Sequence, residues 1–400
     1  MSRDSGEAWR RIRERGRPTP IEDPIIWHDY AESLYHIPGQ PPIPTPQRPR
    51  PVTASFFTVR MVSRAISRLQ HGRARDQVGL QPEHLIYGRE TLAPLIAHLF
   101  NRALAEGFAD SWTEHTIVPI YKSGDVMDPG TYRTIMIGPT LAKLYGAVLE
   151  EALSTLAETE GLRAPGQAGF RRSFSTIDHI FTLRCLIDQT RVKKRRLYCC
   201  FVDFRKAFDT VPRERLFKRL MDLGVGEEMI WGIYALYEHV SCRVRCPGGI
   251  SDTLVSTIGV KQGCPLSPTL FGLYIDEIVD FIHQRGGDGV EIGGTTVHIL
   301  LYTDDIVLVA ESPEGLQRHL SALNDFCLQR GLSVNLGKTK VLIFHTSAQV
   351  RRQSAFIAAG GSIEISALEC PKQMSGSDLA APDRSSLYTA GVYPPYQTEL

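Results

Sequence analysis

The chain has 400 residues, 42% hydrophobic and 22% charged, an ordinary soluble composition with room for a large core and two subdomains. Its formal net charge of +1 shows no global cation excess that would announce a polyanion partner. No apolar run reaches the ~20 residues of a membrane span, and the start MSRDSGEAWRR has no apolar secretory core, so an intracellular protein, nuclear or cytoplasmic and not secreted, is expected. The eight cysteines include no C-x-x-C pair, and Cys242, Cys246 and His239 lack a second ligand pair for zinc.

Residues 1 to 52 are rich in arginine and proline. Seven prolines between His36 and Pro51 cannot build a core, and a disordered N-terminal segment is expected. Helical spacing follows in Phe57, Met61, Val62, Ala65, Ile66 and Leu69, and again in Leu92, Leu95, Ile96, Leu99 and Leu104. Ile117 to Tyr121 and Tyr132 to Ile137 flank the turn-rich SGDVMDPG and predict a hairpin with Lys122 and Arg133 near its ends. The run Lys193 to Arg196 reads as a solvated charge cluster. LYCCFVDF predicts a strand, and a helix after Pro212 is closed by Gly224. Ser267 and Pro268 predict a cap and first position for one helix over 269–282. Ser312, Pro313 and Gly331 bracket another, with Leu316, Leu320, Leu323 and Phe326 inward. A last strand is expected over 332–344, and an irregular tail over 347–400.

The stretch HILLYTDDIVLVAE, 298 to 311, places two aspartates inside the most apolar part of the chain. ILLY and IVLV joined by TDD fit a tight hairpin with both faces buried. Ionised carboxylates there cost several kcal/mol each unless paired or bound to a cation. No Lys or Arg lies between Arg285 and Arg318 to pair them. A divalent cation would hold Asp304 and Asp305 deprotonated against their mutual repulsion, whereas a hairpin tip standing in water would need none. Asp203 ends an apolar strand in the same way. Three acids around two Mg ions suit in-line nucleotidyl transfer, and oxygen donors favour Mg over zinc.

Five blocks in order, QAGFRRSFSTID (167–178), FVDFRKAFD (201–209), GVKQGCPLSPTLF (259–271), YTDD (302–305) and GLSVNLGKTKVLIF (331–344), resemble the reverse transcriptase of non-LTR, LINE-type retrotransposons over about residues 55 to 345. The resemblance implies an α+β fold: a right-hand polymerase with fingers at 53–198 and a ferredoxin-like palm at 199–346, an antiparallel sheet backed by helices. It implies RNA-directed DNA synthesis, with an RNA template, a DNA primer, dNTPs and two Mg2+ ions, Mn2+ being a substitute. Asp203, Asp304 and Asp305 become the metal ligands and catalytic acids. Lys122, Arg133, Phe204, Phe208, Gln262 and Gly263 fall on nucleotide-binding positions, with Phe208 under the sugar, excluding a 2'-hydroxyl. The resemblance also implies that Lys338 lies near the nucleotide as a proton donor to pyrophosphate. GLSVNLGKT is no P-loop, because Leu332 stands where a glycine is needed and a strand, not a helix, should follow.

The chain departs from the family in YTDD for Y-A-D-D and Arg133-Thr134-Ile135 for R-P-I; Thr303 is expected to suit a strand. Residues 1 to 55 cannot hold an endonuclease, and residues 346 to 400 show neither the primer-gripping turn nor a helical thumb. A truncated or rearranged retroelement product is therefore expected. Two other readings stay open: a nucleic-acid-binding remnant without turnover, and a viral-type RNA-dependent RNA polymerase using the Asp203 and Asp209 spacing. Both belong to nucleic-acid handling, and neither involves a membrane.

Overall fold

In a computed structural model of the chain, residues 21–46, 55–73, 75–345 and 356–369 are described. The rest of the expected N-terminal segment and tail, with Cys370, lies outside them. The fold is mixed α+β and is organised by two sheets.

β1 (Glu114–Tyr121) and β2 (Tyr132–Ile137) form the expected antiparallel hairpin, pairing Ile120 with Arg133. After β3 (Leu197–Val202), strands β4 (Ser241–Cys246), β5 (Gly249–Ile250) and β6 (Leu254–Val255) follow, and β4 joins β1 in parallel. This first sheet thus unites residues 114–137 with 241–255, across the expected fingers and palm boundary at 198. A small ribbon, β7 (Val290–Ile292) and β8 (Thr295–Val297), precedes β9 (Ile299–Tyr302), β10 (Asp305–Ala310) and β11 (Lys340–His345). β12 (Phe356–Ala358) and β13 (Gly361–Glu369) complete the second sheet, ordered β12-β13-β11-β3-β10-β9. β3 lies between β10 and β11, antiparallel to both.

The uninterrupted apolar runs of this sheet follow from burial on both faces. Tyr198, Cys200 and Val202 of β3, with Ile306, Leu308 and Ala310 of β10, enter the main core beneath helices Ser267–Ile275 and Pro313–Arg330. Leu197 and Cys199, with Val307 and Val309, face a smaller cluster closed by Leu186 of the helix Thr176–Val192. Successive strand residues alternate between the two, as the pleat requires.

Four expectations are corrected. Pro24–Tyr35, inside the expected disordered segment, is a helix capped by Asp23, whose Oδ1 accepts from Ile25 N at 2.8 Å. It buries Trp27, Ala31 and Tyr35 against β1, β2 and β4. The expected helix 269–282 is two, Ser267–Ile275 and Ile278–Arg285, broken at Asp276 where a carboxylate is drawn to Arg163. Ser267 is the first helical residue and not its cap. The last strand begins only at Lys340, because residues 332–339 turn around Asn335. Inside the expected irregular tail, β12 and β13 form a hairpin whose turn, Ala359-Gly360, has both residues at positive φ, and β13 adds to β11 in parallel. By contrast, Ser312 and Gly331 bracket their helix as expected, with Gly331 left-handed at φ 68°. Among the described residues no helix is long and apolar enough to cross a membrane.

Behind β9 three imidazoles meet. His283 and His298 lie 4.4 Å apart between ring centres, and His298 Nδ1 is 3.3 Å from His319 Nε2. Burial, then His298, pushes the fully buried His319 down to about 4. An unfolded histidine titrates near 6.5, so between pH 6.5 and 4 the unfolded chain binds a proton that the folded chain resists, and stability falls as pH falls. The loss at pH 5 is on the order of 2 kcal/mol. His319→Gln is expected to shrink the drop in Tm between pH 7.5 and 5; equal drops in both proteins would refute the assignment.

Candidate active site

Tyr302 pairs with Asp305, so β9 and β10 are joined by a two-residue turn, Thr303-Asp304. Thr303 does not extend the strand as expected. It sits at φ 62°, a left-handed conformation that a β-branched residue adopts only under constraint. The constraint is Gln167, wholly buried, whose Oε1 accepts from Thr303 N and from Gly169 N, each at 2.8 Å. Gly169 packs so close that a Cβ there would lie 2.2 Å from Thr303 N. Gln167 is held in turn by Asp276, whose Oδ1 accepts its Nε2 at 3.2 Å while Oδ2 accepts Arg163 Nε at 2.7 Å.

One step beyond the paired Val202 and Ile306 stand Asp203 and Asp305, so the register brings the three acids to one end of neighbouring strands. Asp203 Oδ2 accepts from Asn335 Nδ2 at 2.9 Å, and its carbonyl accepts from Asn335 N at 2.7 Å. Among the described residues no cation lies within ion-pair distance of Asp304 or Asp305. Burial raises the Asp304 carboxyl, and Asp203 raises it further. Burial, then Asp304, then Asp203 push Asp305 up to about 7. Lys122 answers from the β1–β2 hairpin. Partial burial and the cations Lys338 and Arg133 lower its ammonium, while Asp203 and Asp304 act the other way. Lys122 thus lies within electrostatic reach of Lys338 and Arg133 as well as of Asp203 and Asp304. Among the described residues no three Asp, Glu, His or Cys groups already converge as a metal-ligand set. The donor chemistry nevertheless fits a hard divalent cation: the donors are all oxygen and repel one another, and burial outweighs the pull of Lys122 and Arg133 on Asp304 and of Lys122 on Asp305.

The other expected residues divide. Phe208 stacks on Phe271 with centroids 4.5 Å apart and planes at 15°. Gln262 gives its Nε2 to Asp209 Oδ2 at 2.7 Å, and its carbonyl accepts from Met136 N at 2.7 Å. Gly263 sits at φ 107°, and a Cβ there would stand 2.9 Å from Met136 O of β2, so this position favours glycine on backbone grounds. Phe204, expected at the nucleotide, instead turns its ring into the main core, 5% exposed, because its backbone bridges Val334. Sequence reasoning missed Gln167, Arg163 and Asp276 as supports, and Tyr35, whose hydroxyl donates to Asp209 Oδ1 at 2.9 Å. An i, i+4, i+8 spacing of Trp27, Ala31 and Tyr35 after Asp-Pro was the available signal for the last.

Residues 120–367 match the profile of the family described as reverse transcriptase (RNA-dependent DNA polymerase). The chain belongs to the reverse transcriptase family. The match includes every expected site residue of this reverse transcriptase and excludes the helix Pro24–Tyr35. Over 229 residues, 57% of the chain, it is 30% identical to the retrovirus-related Pol polyprotein from type-1 retrotransposable element R2 of Popillia japonica. It is 24% identical over 347 residues, 81% of the chain, to the transposon TX1 uncharacterized 149 kDa protein of Xenopus laevis. Over 254 residues, 62% of the chain, it is 26% identical to the RNA-directed DNA polymerase from mobile element jockey of Drosophila funebris. The reverse transcriptase chain spans 32%, 26% and 27% of those relatives' lengths. It is thus a reverse transcriptase domain related to those of non-LTR retrotransposons. Among solved structures, apo telomerase from Candida tropicalis aligns at a TM-score of 0.44 and 14% identity, covering 68% of this chain and 58% of that one.

Proposed function

We propose that the chain is an RNA-directed DNA polymerase that joins dNTPs to a primer 3'-hydroxyl along an RNA template, with the fold read as fingers and palm of a right hand. The observation that carries this is the juxtaposition of Asp203 with the Thr303-Asp304 turn, within electrostatic reach of Lys122 beside the β1–β2 hairpin. Asp203, Asp304 and Asp305 would hold the divalent ions, Mg2+ or in substitution Mn2+. When bound, such ions lower the pKa of an attacking hydroxyl and offset charge on the reacting phosphate.

The protein's own side chains supply the rest. Lys122 and Arg133 bind the triphosphate and neutralise charge on the departing pyrophosphate. Lys338, beside Lys122, is the proton donor to that leaving group. The carboxamide of Gln262 borders the space for the templated base. Phe208, held flat by Phe271, presents a rigid ring to the sugar. The test is incorporation of dNTPs, and separately of rNTPs, on a primed RNA template in Mg2+. No incorporation, with salt-sensitive RNA binding retained, would favour the nucleic-acid-binding remnant. Preference for rNTPs would favour an RNA polymerase. Phe208→Val is expected to raise rNTP use relative to dNTP by about tenfold to a hundredfold, the value of one lost steric exclusion. An unchanged ratio would remove Phe208 from sugar selection.

A further inference from the structure

The helix Pro24–Tyr35 ends against the site. Tyr35 is fully buried, and its hydroxyl, 2.9 Å from Asp209 Oδ1, also lies 2.6 Å from Thr134 Oγ1 of β2. Its main-chain oxygen accepts from Thr257 N at 2.8 Å and Ile258 N at 3.3 Å, at the start of the segment that runs to Gln262. Asp209 is itself wholly buried, which opposes its charge, and the Tyr35 hydroxyl, then Lys206, then the Gln262 amide favour it. A carboxylate so placed depends on its hydrogen-bond donors, which here are the Tyr35 hydroxyl on one oxygen and the Gln262 amide on the other. Because a carboxylate only accepts, Asp209 fixes which end of the Gln262 amide turns inward. Gly259 seals the arrangement, since a Cβ there would lie 2.5 Å from Asp209 O.

We propose that Tyr35 is a positioning residue of the nucleotide pocket: through Asp209 it orients the Gln262 carboxamide, making the N-terminal helix a working part of the polymerase site. The inference rests on the polymerase reading of Gln262 given above. It adds a residue that lies outside the segment matching the family profile. Tyr35 joins three separate pieces of chain at one hydroxyl and one carbonyl: β2, the turn after Asp203, and the approach to Gln262. A purely structural anchor of the helix would use Trp27 and Ala31 and would need no hydroxyl pointed at a buried acid.

The test is steady-state incorporation of a single dNTP on a primed RNA template by the full chain, as wild type, Tyr35→Phe, Gln262→Ala and the double variant. Tyr35→Phe keeps the ring and removes the donor. The expected result is a KM for dNTP raised by about tenfold, the equivalent of one charge-assisted hydrogen bond, with kcat little changed. In the Gln262→Ala background the tyrosine change should add nothing, because the group it orients is gone. Should Tyr35→Phe not fold, Asp209→Asn tests the same link and is expected to give the same KM effect and the same non-additivity. An unchanged KM, a change in kcat alone, or equal effects with and without Gln262 would overturn the inference. An inactive wild-type chain would sink the polymerase reading and this inference with it, whereas an active wild type beside an unaltered Tyr35→Phe sinks only the inference.

Discussion

Replacing Asp304 by asparagine is expected to cut dNTP incorporation on a primed RNA template by about 10³-fold or more, a barrier increase of about 4 kcal/mol. The substitution keeps shape and removes charge, so folding should not suffer. It should improve slightly without divalent ions, because burial and Asp203 both oppose the ionised Asp304 carboxyl. Loss of activity with gain of stability is the signature of a charge cluster kept for chemistry. The same pair of proteins separates metal binding from turnover. Millimolar Mg2+ should raise the Tm of the wild type and have a smaller effect on Asp304→Asn, since a ligand stabilises only the state that binds it. Equal incorporation by wild type and variant would leave the three acids without a catalytic role.

Local periodicity carries far in this chain where an element is buried by its own pattern. The strands of the Thr303-Asp304 hairpin, the Ser312 to Gly331 helix and the Ile117 to Ile137 hairpin were legible because each signal is complete within about twenty residues. The placement of Asp203 beside Asp305 required a sheet order that no local pattern states, and there the resemblance supplied the expectation. The helix Pro24–Tyr35 was hidden by its proline-rich surroundings, although Asp23 and Pro24 open it in the usual way. Its apolar face is finished by residues of β1, β2 and β4, about ninety to two hundred and twenty positions away, so the sequence near it looks too poor to fold. The β12–β13 hairpin was missed for a related reason. Gly360-Gly361 is a turn signal, yet β13 is stabilised by parallel pairing to β11, a partner the tail's composition does not reveal. Phe204 shows the converse limit: a position can match a motif while its side chain serves the core.

Asp276→Ala is expected to be the most destabilising single change near the site, by about 3 to 5 kcal/mol, because it strands a buried guanidinium. Arg163 and Asp276 are 6% and 2% exposed, and among the described residues Arg163 Nη2 already has no hydrogen-bond partner. Room for the guanidinium is made by Gly272, where a Cβ would lie 2.4 Å from that same nitrogen. Burial raises the Asp276 carboxyl even beside Arg163, so desolvation outweighs the attraction and the pair itself adds little net stability. The double change Arg163→Met with Asp276→Leu should therefore recover most of the loss in a denaturant titration. Activity should not recover with it. Asp276 also accepts from Gln167, and Gln167 holds Thr303 in its left-handed turn next to Asp304. A double variant that is stable yet slow would separate the two duties of this acid, packing against Arg163 and holding the Thr303-Asp304 turn in shape. Full recovery of both would show that Gln167 keeps Thr303 in place unaided.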